Sequence, residues 1–279
     1  MTTSTSAGVP ADTSTGTADR ASVAATSSHG DLAAKVPAIT VLFWVIKTLT
    51  TGMGEALSDF LANTNLVAAI AIGVLGLAGA LWLQVRSRRY TAPVYWLAVA
   101  MVAVFGTMAA DGVHLVGLPY AVTTVFYLVV VGVLFFCWHR SEGTLSIHSI
   151  TTRRRELFYW ATVLASFALG TAAGDLTADQ LRLGYLPSVV IFAVAIAVPA
   201  IGWRFFRLNP VVAFWVAYVL TRPLGASIAD WLGKPASHGG GLGYGDGTVA
   251  AGAAVVIALL VGWLTVRRTD VQDAGTVTA

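Results

Sequence analysis

The amino-acid sequence predicts an all-α, polytopic membrane protein with about eight transmembrane helices in two pseudo-symmetric four-helix halves. Of the 279 residues, 56% are hydrophobic and 11% are charged, whereas about a quarter of the residues in a soluble domain carry charge. Apolar runs of roughly 18–22 residues recur along the chain, which is the length that a helix needs to cross the hydrocarbon core. A Gly-x4-Asp pattern also occurs four times at related positions, and this recurrence indicates four related hairpins.

The predicted helices are of two alternating kinds. The spans are placed at residues 37–60, 65–85, 91–111, 118–138, 156–179, 185–206, 210–231 and 246–266. The odd-numbered spans each end in an acidic motif, whereas the even-numbered spans are almost purely apolar. The Ser-, Thr- and Ala-rich residues 1–34 are expected to form a disordered cytoplasmic tail. Behind it we place a first four-helix half (35–138), a cytoplasmic linker loop (139–155), a second four-helix half (156–268) and a short cytoplasmic tail (269–279).

The arginines predict how the helices are oriented in the membrane. They gather in the connections after the second, fourth, sixth and eighth spans, as Arg86, Arg88, Arg89, Arg140, Arg153, Arg154, Arg155, Arg204, Arg207, Arg267 and Arg268. The opposite connections hold only Arg182 and Lys234. By the positive-inside rule both termini are cytoplasmic, and the odd spans run outward in parallel. Because the basic residues lie in these short loops, the net charge of +3 does not indicate nucleic-acid binding.

The acidic motif returns in every odd span. The four copies are Gly54–Asp59, Gly106–Asp111, Gly174–Asp179 and Gly225–Asp230. Directly after the glycines come Glu55, Thr107, Asp175 and Ala226, and fifteen residues before the aspartates come Trp44, Trp96, Leu164 and Trp215. Close packing between helices is the interpretation for Gly52, Gly54, Gly170, Gly174 and Gly225, and the three tryptophans are interpreted as members of the interfacial aromatic belt.

Six carboxylates are predicted to converge if the odd helices surround one axis: Glu55, Asp59, Asp111, Asp175, Asp179 and Asp230. Such a cluster is tolerated within a bilayer when it is protonated, paired, or neutralised by a bound cation. Oxygen ligands suit Mg2+, Mn2+ or Ca2+. The hydroxyls of Thr50, Thr51, Thr107 and Thr171 would add neutral oxygens, and a nitrogen from His114 would shift the preference toward Mn2+, Fe2+ or Zn2+. The alternative is that the carboxylates are helix-end anchors facing interfacial water, or members of internal ion pairs.

Two basic residues lie inside the motif-bearing spans. Lys47 precedes Glu55 by eight residues, and Arg222 precedes Asp230 by eight, so each base lies about two turns from an acid on roughly the same helix face. They are interpreted as charge-compensating residues, which either pair with a carboxylate of a neighbouring helix or fill the site when an ion leaves. Pro223 is expected to kink its helix and free a backbone carbonyl.

The segment Thr221–Pro235 reads TRPLGASIADWLGKP. Together with Lys47–Glu55 and His148–Glu156, it resembles a family of bacterial integral-membrane proteins catalogued as uncharacterised and membrane-anchored. The resemblance covers roughly residues 35–268. It implies a multi-pass protein of the bacterial inner membrane, and it brings no activity with it.

The leading functional hypothesis is a secondary transporter of a divalent cation similar to Mn2+, with export as one option, coupled to protons through carboxylate protonation. No cofactor is expected, because the cation is the substrate, and the expected partners are the lipid bilayer, the cation and protons. The alternative is a non-transporting membrane sensor or assembly partner whose carboxylates form structural ion pairs. No nucleophile–base set is evident, so no enzymatic activity is expected and a lipid-modifying enzyme is the least favoured class.

Overall fold

The computed structural model describes residues 34–271, and the long elements in that range are eight α-helices. They are α1 (Val41–Thr64), α2 (Leu66–Arg86), α3 (Ala92–Leu115), α4 (Tyr120–Glu142), α5 (Arg153–Asp175), α6 (Tyr185–Phe206), α7 (Pro210–Gly233) and α8 (Asp246–Arg267). A 3-10 turn (Ile147–Ser149) precedes α5, and a π-helical turn (Leu176–Gln180) extends it. The predicted tails, residues 1–34 and 269–279, fall almost wholly outside the described residues.

The prediction of an all-α, multi-pass protein is confirmed. Seven of the described helices are long and apolar enough to cross a membrane. The exception is α1, which contains Lys47, Glu55 and Asp59. Between residues 34 and 271 there is no strand. The first hairpin is very tight, because Asn65 alone joins α1 to α2 and its side chain accepts a 3.0 Å hydrogen bond from the amide of Ala68.

The helices form an inner ring and an outer layer. Helices α1, α3, α5 and α7 close the inner ring, because each contacts the next and α7 contacts α1. Around this ring α2 packs against α3, α4 against α5, α6 against α7, and α8 against α1. The odd-numbered helices thus surround one axis, as expected. The outer helices bury few of their residues, so their apolar surface faces outward, where lipid would lie.

Glycines allow the inner helices to approach closely at one level of the ring. A Cβ built on Gly106 would lie 2.7 Å from the Cβ of Phe167 on the next inner helix, which is closer than real Cβ atoms come. Equivalent overlaps occur between Gly54 and Ala103, Gly170 and Arg222, and Gly225 and Thr51. Each inner helix therefore meets the next through the same kind of contact, which gives the interior fourfold pseudo-symmetry. The predicted packing role of such glycines is confirmed at these positions.

Aromatic side chains close the ring where the inner helices begin, which we call the aromatic end. Each inner helix contributes two consecutive aromatic residues: Phe43 and Trp44, Tyr95 and Trp96, Tyr159 and Trp160, and Phe214 and Trp215. Ring centroids on adjacent helices are 5.7 Å apart for Phe43–Trp96, Tyr95–Trp160 and Trp44–Phe214, and 6.1 Å apart for Tyr159–Trp215. This aromatic layer is therefore continuous around the axis.

The interfacial-belt interpretation is wrong for two of the three tryptophans. Trp96 is 2% exposed and Trp215 is 4% exposed, and Trp215 Nε1 donates a 2.9 Å hydrogen bond to the carbonyl of Leu145. Only Trp44 is half-buried. The reason is that these positions face the axis of the inner ring, where aromatic packing replaces contact with the membrane interface.

The segments before α1 and after α8 pack against the aromatic end of the bundle. Lys35 and Glu156 form a buried ion pair of 2.6 Å, which joins the residues before α1 to the start of α5. The amide of Ala38 donates to the carbonyl of Asp270 at 2.8 Å, and the Tyr90 hydroxyl donates to the Asp270 carboxylate. The segments before α1 and after α8 are thereby fixed to each other and to the same end of the bundle.

Candidate cation site

Carboxylates gather at the other end of the inner ring, which we call the acidic end. Oxygen atoms of Glu55 on α1, Asp175 on α5 and Asp230 on α7 lie within 4.8 Å of one another. Glu55 is 3% exposed and Asp230 is 8% exposed, whereas Asp175 is half-buried. Within residues 34–271, the side chains of Asp175 and Asp230 have no hydrogen bond or ion pair. The structure thus brings together three of the six predicted carboxylates.

The third acidic motif lies one helical turn earlier than the sequence register placed it. Gly170 makes the close inter-helix contact, whereas a Cβ on Gly174 would meet its nearest neighbours at an ordinary 3.9 Å. Asp175 belongs to the carboxylate group, while Asp179 lies exposed in the π-helical turn. Assigning Gly174–Asp179 as the third copy is therefore wrong, and Gly170–Asp175 replaces it. The missed signal is Trp160, which precedes Asp175 by the fifteen residues seen in the other copies.

One guanidinium group neutralises Glu55. Arg222 Nη2 lies 2.6 Å from Glu55 Oε2, donates to Thr171 Oγ1 at 2.6 Å, and also donates to Thr107 Oγ1. Arg222 Nη1 donates to the carbonyl of Thr51 at 3.2 Å. The side chain is fully buried, and its Nε has no hydrogen-bond partner in the described part of the chain. Arg222 therefore occupies the position expected of a charge-compensating residue, paired with a carboxylate of a neighbouring helix.

Two of the four predicted threonines line the carboxylate group. The hydroxyls of Thr107 and Thr171 lie 3.0 Å and 3.4 Å from Glu55 Oε2. The hydroxyls of Thr50 and Thr51 instead donate to carbonyl oxygens of their own helix, at 2.8 Å and 2.6 Å, and the Thr51 hydroxyl also lies 3.3 Å from the carbonyl oxygen of Thr221 on α7. Threonine side chains in helices often form such bonds to the preceding turn. Thr50 and Thr51 therefore form hydrogen bonds to backbone carbonyls rather than supply ligands in this structure.

Lys47 lies between the carboxylate group and the aromatic layer, and no carboxylate between residues 34 and 271 pairs with it. The fully buried ammonium donates to Thr221 Oγ1 at 3.1 Å. Its Nζ also lies 4.2 Å from the ring centroid of Phe167 and 4.1 Å from that of Tyr218. The ion pair considered for Lys47 is therefore not formed, because aromatic rings surround the ammonium and cation–π contacts take the place of a carboxylate.

Asp59 pairs with a lysine that the sequence analysis did not assign to the site. Lys234, directly after α7, donates to Asp59 and lies 3.1 Å from the carboxylate of Asp246 at the start of α8. Burial alone lowers the pKa of Lys234, but the carboxylates of Asp59, Asp230 and Asp246 outweigh burial and raise it. Lys234 therefore stays charged and ties the α7–α8 connection to α1. The sequence offered one signal for this role, because Lys234 is one of only two basic residues in the loops at the acidic end.

Asp111 and His114 complete the predicted ligand set but lie outside the group. Asp111 is half-buried and within electrostatic range of Glu55, yet it does not belong to the 4.8 Å group. His114 Nδ1 lies 2.9 Å from the carbonyl oxygen of Leu118, and its ring stacks on Tyr120 with centroids 3.9 Å apart. His114 is therefore engaged in the α3–α4 connection and supplies no nitrogen to the carboxylates in this structure.

The arrangement favours occupation by a cation or by protons. Three ionised carboxylates beside a single guanidinium would leave excess negative charge in an interior of low dielectric constant, where like charges repel strongly. The group offers carboxylate oxygens, with the hydroxyls of Thr107 and Thr171 beside them. An oxygen-only donor set suits a hard or borderline divalent ion such as Mg2+, Mn2+ or Ca2+. The residues present therefore fit a divalent cation.

Comparison with known proteins identifies the repeats. Four stretches match one family model, described as Repeat of Unknown Function (DUF347), at residues 42–90, 94–144, 158–209 and 213–269. Counted from the start of each match, the same position holds Trp44, Trp96, Trp160 and Trp215, and a later shared position holds Asp59, Asp111, Asp175 and Asp230. The matches thus support the register in which Asp175 is the repeated acid. No curated protein and no solved structure is detectably similar to the chain.

Proposed function

The chain belongs to the DUF347 repeat family, and from the site that its four repeats build we propose that it is a secondary transporter of a divalent metal cation similar to Mn2+. The observation that carries the proposal is the group of Glu55, Asp175 and Asp230, three carboxylates that share one largely buried space with a single guanidinium. Ionisable groups inside a membrane-spanning bundle are energetically expensive and mark ion pathways. Two of these three acids have no protein partner in residues 34–271, which leaves them free to bind a cation.

The donor set supports a cation that accepts oxygen ligands. Among residues 34–271, no histidine or cysteine joins the three carboxylates, so thiolate-seeking ions are disfavoured. Mn2+ accepts carboxylate ligands and sheds water more readily than Mg2+, which dehydrates reluctantly. A transported ion has to exchange its ligands at every passage, and this requirement favours Mn2+ as the cargo. The carrier would need no resident cofactor and no enzymatic step.

Arg222 provides a built-in substitute for the cation. A metal ion that binds Glu55 would compete with Arg222 Nη2, and departure of the ion would allow the 2.6 Å pair to form again. Arginine keeps its charge throughout such an exchange. Asp175 and Asp230 would take up protons when the cation leaves, because their mutual repulsion favours the neutral forms. Cation movement in one direction would thereby be coupled to proton movement in the other.

Transport also requires the aromatic layer to open. The helices α1–α4 and α5–α8 form two halves of two repeats each, and we propose that these halves move against each other around the carboxylate group. The arginine-rich loops lie at the aromatic end, which supports placing that end and both termini in the cytoplasm of a bacterial cell. The acidic end would then face the outside of the inner membrane.

The test compares Asp175→Asn and Asp230→Asn with the matched control Asp179→Asn. Mn2+ affinity is measured by calorimetry on purified protein, and Mn2+ uptake is measured in proteoliposomes with an internal metal-sensitive dye. The first two variants should weaken Mn2+ binding by about tenfold or more and abolish uptake. The control removes an exposed acid one turn away and should behave as the wild type. Wild-type binding and uptake in both Asp175→Asn and Asp230→Asn would refute the carrier.

The Arg222 network also supports a second candidate, a non-transporting membrane sensor or assembly partner. Glu55 is already satisfied by one guanidinium and two hydroxyls, as in a purely structural ion pair, and the aromatic layer closes the opposite end. This candidate predicts that purified wild-type protein moves no Mn2+ across liposomes, and that Asp175→Asn leaves its stability unchanged in the presence and absence of Mn2+.

A further inference from the structure

The aromatic layer contains hydroxyl groups that packing does not require. Tyr95 and Tyr159, on two adjacent inner helices, are each 1% exposed, and their hydroxyl oxygens lie 2.6 Å apart. The same position in the other two repeats holds Phe43 and Phe214, so the layer can close without hydroxyls. A third tyrosine, Tyr218, is completely buried, and its hydroxyl interacts with that of Tyr159.

On the outer side of the aromatic layer, the hydroxyl groups continue through Tyr90 to Asp270. The ring of Tyr90 lies 5.7 Å from the ring of Tyr95, and its hydroxyl donates to Asp270 Oδ2. Burial, and then the hydrogen bond to Asp270, raise the pKa of Tyr90, so the hydroxyl stays protonated and donates its hydrogen bond to Asp270. The second carboxylate oxygen, Asp270 Oδ1, is buried and lacks a hydrogen-bond partner within residues 34–271. The Asp270 carboxylate can therefore accept a proton at the end of the tyrosine series.

On the inner side of the aromatic layer, the hydroxyl groups continue through Tyr218 to Lys47, which lies between the layer and the carboxylate group. Lys47 Nζ lies 4.1 Å from the ring centroid of Tyr218. The indole N–H group of Trp160 is buried in the same layer and lacks a hydrogen-bond partner in the described chain. Buried polar groups that the protein leaves unpaired commonly hold ordered water. Water molecules at these groups would bridge the intervals between neighbouring tyrosines.

We propose that Lys47, Tyr218, Tyr159, Tyr95, Tyr90 and Asp270 form the route by which protons cross the aromatic layer. The proposal rests on the proton-coupled transport proposed above, which supplies the protons. Lys47 gives an ammonium proton to the Tyr218 oxygen, and each hydroxyl then gives its own proton to the next oxygen, ending at the Asp270 carboxylate. At each step one N–H or O–H bond breaks and one O–H bond forms, and Lys47 regains a proton from the side of the carboxylate group. Each tyrosine is neutral again after the step, and one proton leaves one end for every proton taken up at the other.

A structural role is the competing explanation, since the Tyr95–Tyr159 hydrogen bond also satisfies two buried hydroxyls. The two explanations differ in what the loss of one hydroxyl changes. A structural bond would affect stability and, through it, every activity of the protein. A relay residue would affect proton movement while leaving cation affinity intact, because the carboxylate group lies at the opposite end of the inner ring.

The test uses the full chain in liposomes that contain a pH-sensitive dye, with a Mn2+ gradient across the membrane. Tyr159→Phe and Asp270→Asn interrupt the route at two separate places. Tyr127→Phe is the matched control, because the Tyr127 hydroxyl donates to the carbonyl of Ala109 at 2.9 Å, away from the layer. We expect Mn2+-driven proton flux to fall roughly tenfold or more in the first two variants, with Mn2+ affinity unchanged. Tyr127→Phe should match the wild type.

The outcomes separate the relay from the transporter. Wild-type proton flux in both Tyr159→Phe and Asp270→Asn would overturn the relay and leave transport standing, and so would Mn2+ flux without proton flux in the wild type. Absence of any Mn2+ flux in the wild type would overturn the transporter and the relay together. Gel filtration and Mn2+ affinity show whether each variant is folded. Asp270 lies beyond the end of α8, so Asp270→Asn decides the question if Tyr159→Phe misfolds.

Discussion

Replacing Arg222 should destabilise the protein more than replacing Glu55, although both changes break the same buried ion pair. Arg222→Met leaves Glu55 beside Asp175 and Asp230 with no cation, so three carboxylates within 4.8 Å repel one another. Removing one partner of a buried pair costs about 3–5 kcal/mol, and we expect Arg222→Met at the upper end of that range. Glu55→Gln should cost about 3 kcal/mol, because the guanidinium still donates to oxygens of Thr51, Thr107 and Thr171.

Thermal unfolding of the detergent-purified protein measures these effects, with the nine tryptophans as the fluorescent probe. For a chain of this size 1 kcal/mol corresponds to about 2–4 °C. Arg222→Met should therefore lower Tm by about 10–20 °C, and Glu55→Gln by about 6–12 °C. The double variant removes both charges together, so its loss should fall short of the sum of the single losses by about 2 kcal/mol or more. The control is Arg182→Met, which removes an exposed arginine and should leave Tm unchanged.

Added Mn2+ gives the same variants a second readout. In the wild type the ion has to displace Arg222 from Glu55, whereas in Arg222→Met the position is open. Mn2+ should therefore raise the Tm of Arg222→Met more than that of the wild type. Strictly additive single losses would show that the two side chains are not coupled. An Arg222→Met variant that Mn2+ does not stabilise would show that the carboxylates do not bind the ion.

Three further predictions concern the framework around the site. Gly54→Ala should cost about 1–3 kcal/mol of stability, because its Cβ would overlap the next inner helix. In the control Gly112→Ala the new Cβ meets nothing within 4 Å, so this variant should keep the wild-type Tm. An equal Tm for both variants would contradict the close packing at Gly54. Lys47→Met should leave Tm unchanged or raise it, since a buried ammonium without a carboxylate is exchanged for an apolar chain, and a large fall in Tm would favour a structural role. The folded-state pKa of Lys234 is raised, so its stabilisation is complete below its ordinary pKa and is lost only as the pH rises through the raised value. The Tm difference between wild type and Lys234→Ala should thus be constant from about pH 7 to about pH 9, and a decline in that interval would contradict the ion pairs.

The helices were predictable because their signals are local. Span six was predicted at 185–206, and α6 runs from Tyr185 to Phe206, since both an apolar run of membrane length and the basic residue at its end can be read from adjacent residues. The register of the third motif could not be decided in this way. Gly170 and Gly174, like Asp175 and Asp179, repeat one helical turn apart, so the local pattern fits two registers. The contact between Gly170 and the next inner helix distinguishes them, as does the fifteen-residue spacing from Trp160 to Asp175.

Side-chain partners depend on which helices are neighbours, which a single sequence does not state. The pairing of Arg222 with Glu55 joins α7 to α1, the two inner helices furthest apart along the chain. The burial of Trp96 and Trp215 is a similar case. A tryptophan near a helix end fits a lipid interface as well as an interior layer, and only the closed ring shows which of these it occupies.

Because the ring is closed, the order of the hairpins along the chain can be changed without changing which helices are neighbours. Helix α8 covers α1 in the way that α2 covers α3, so no hairpin is first or last in space. The amide of Ala38 donates to the carbonyl of Asp270 at 2.8 Å, which means that a short linker could join the two described ends. A circular permutant opened between α4 and α5 would keep every neighbour around the axis and an even number of crossings. Such a permutant should assemble into the same bundle, because the contacts define a cycle of four units with no fixed starting point.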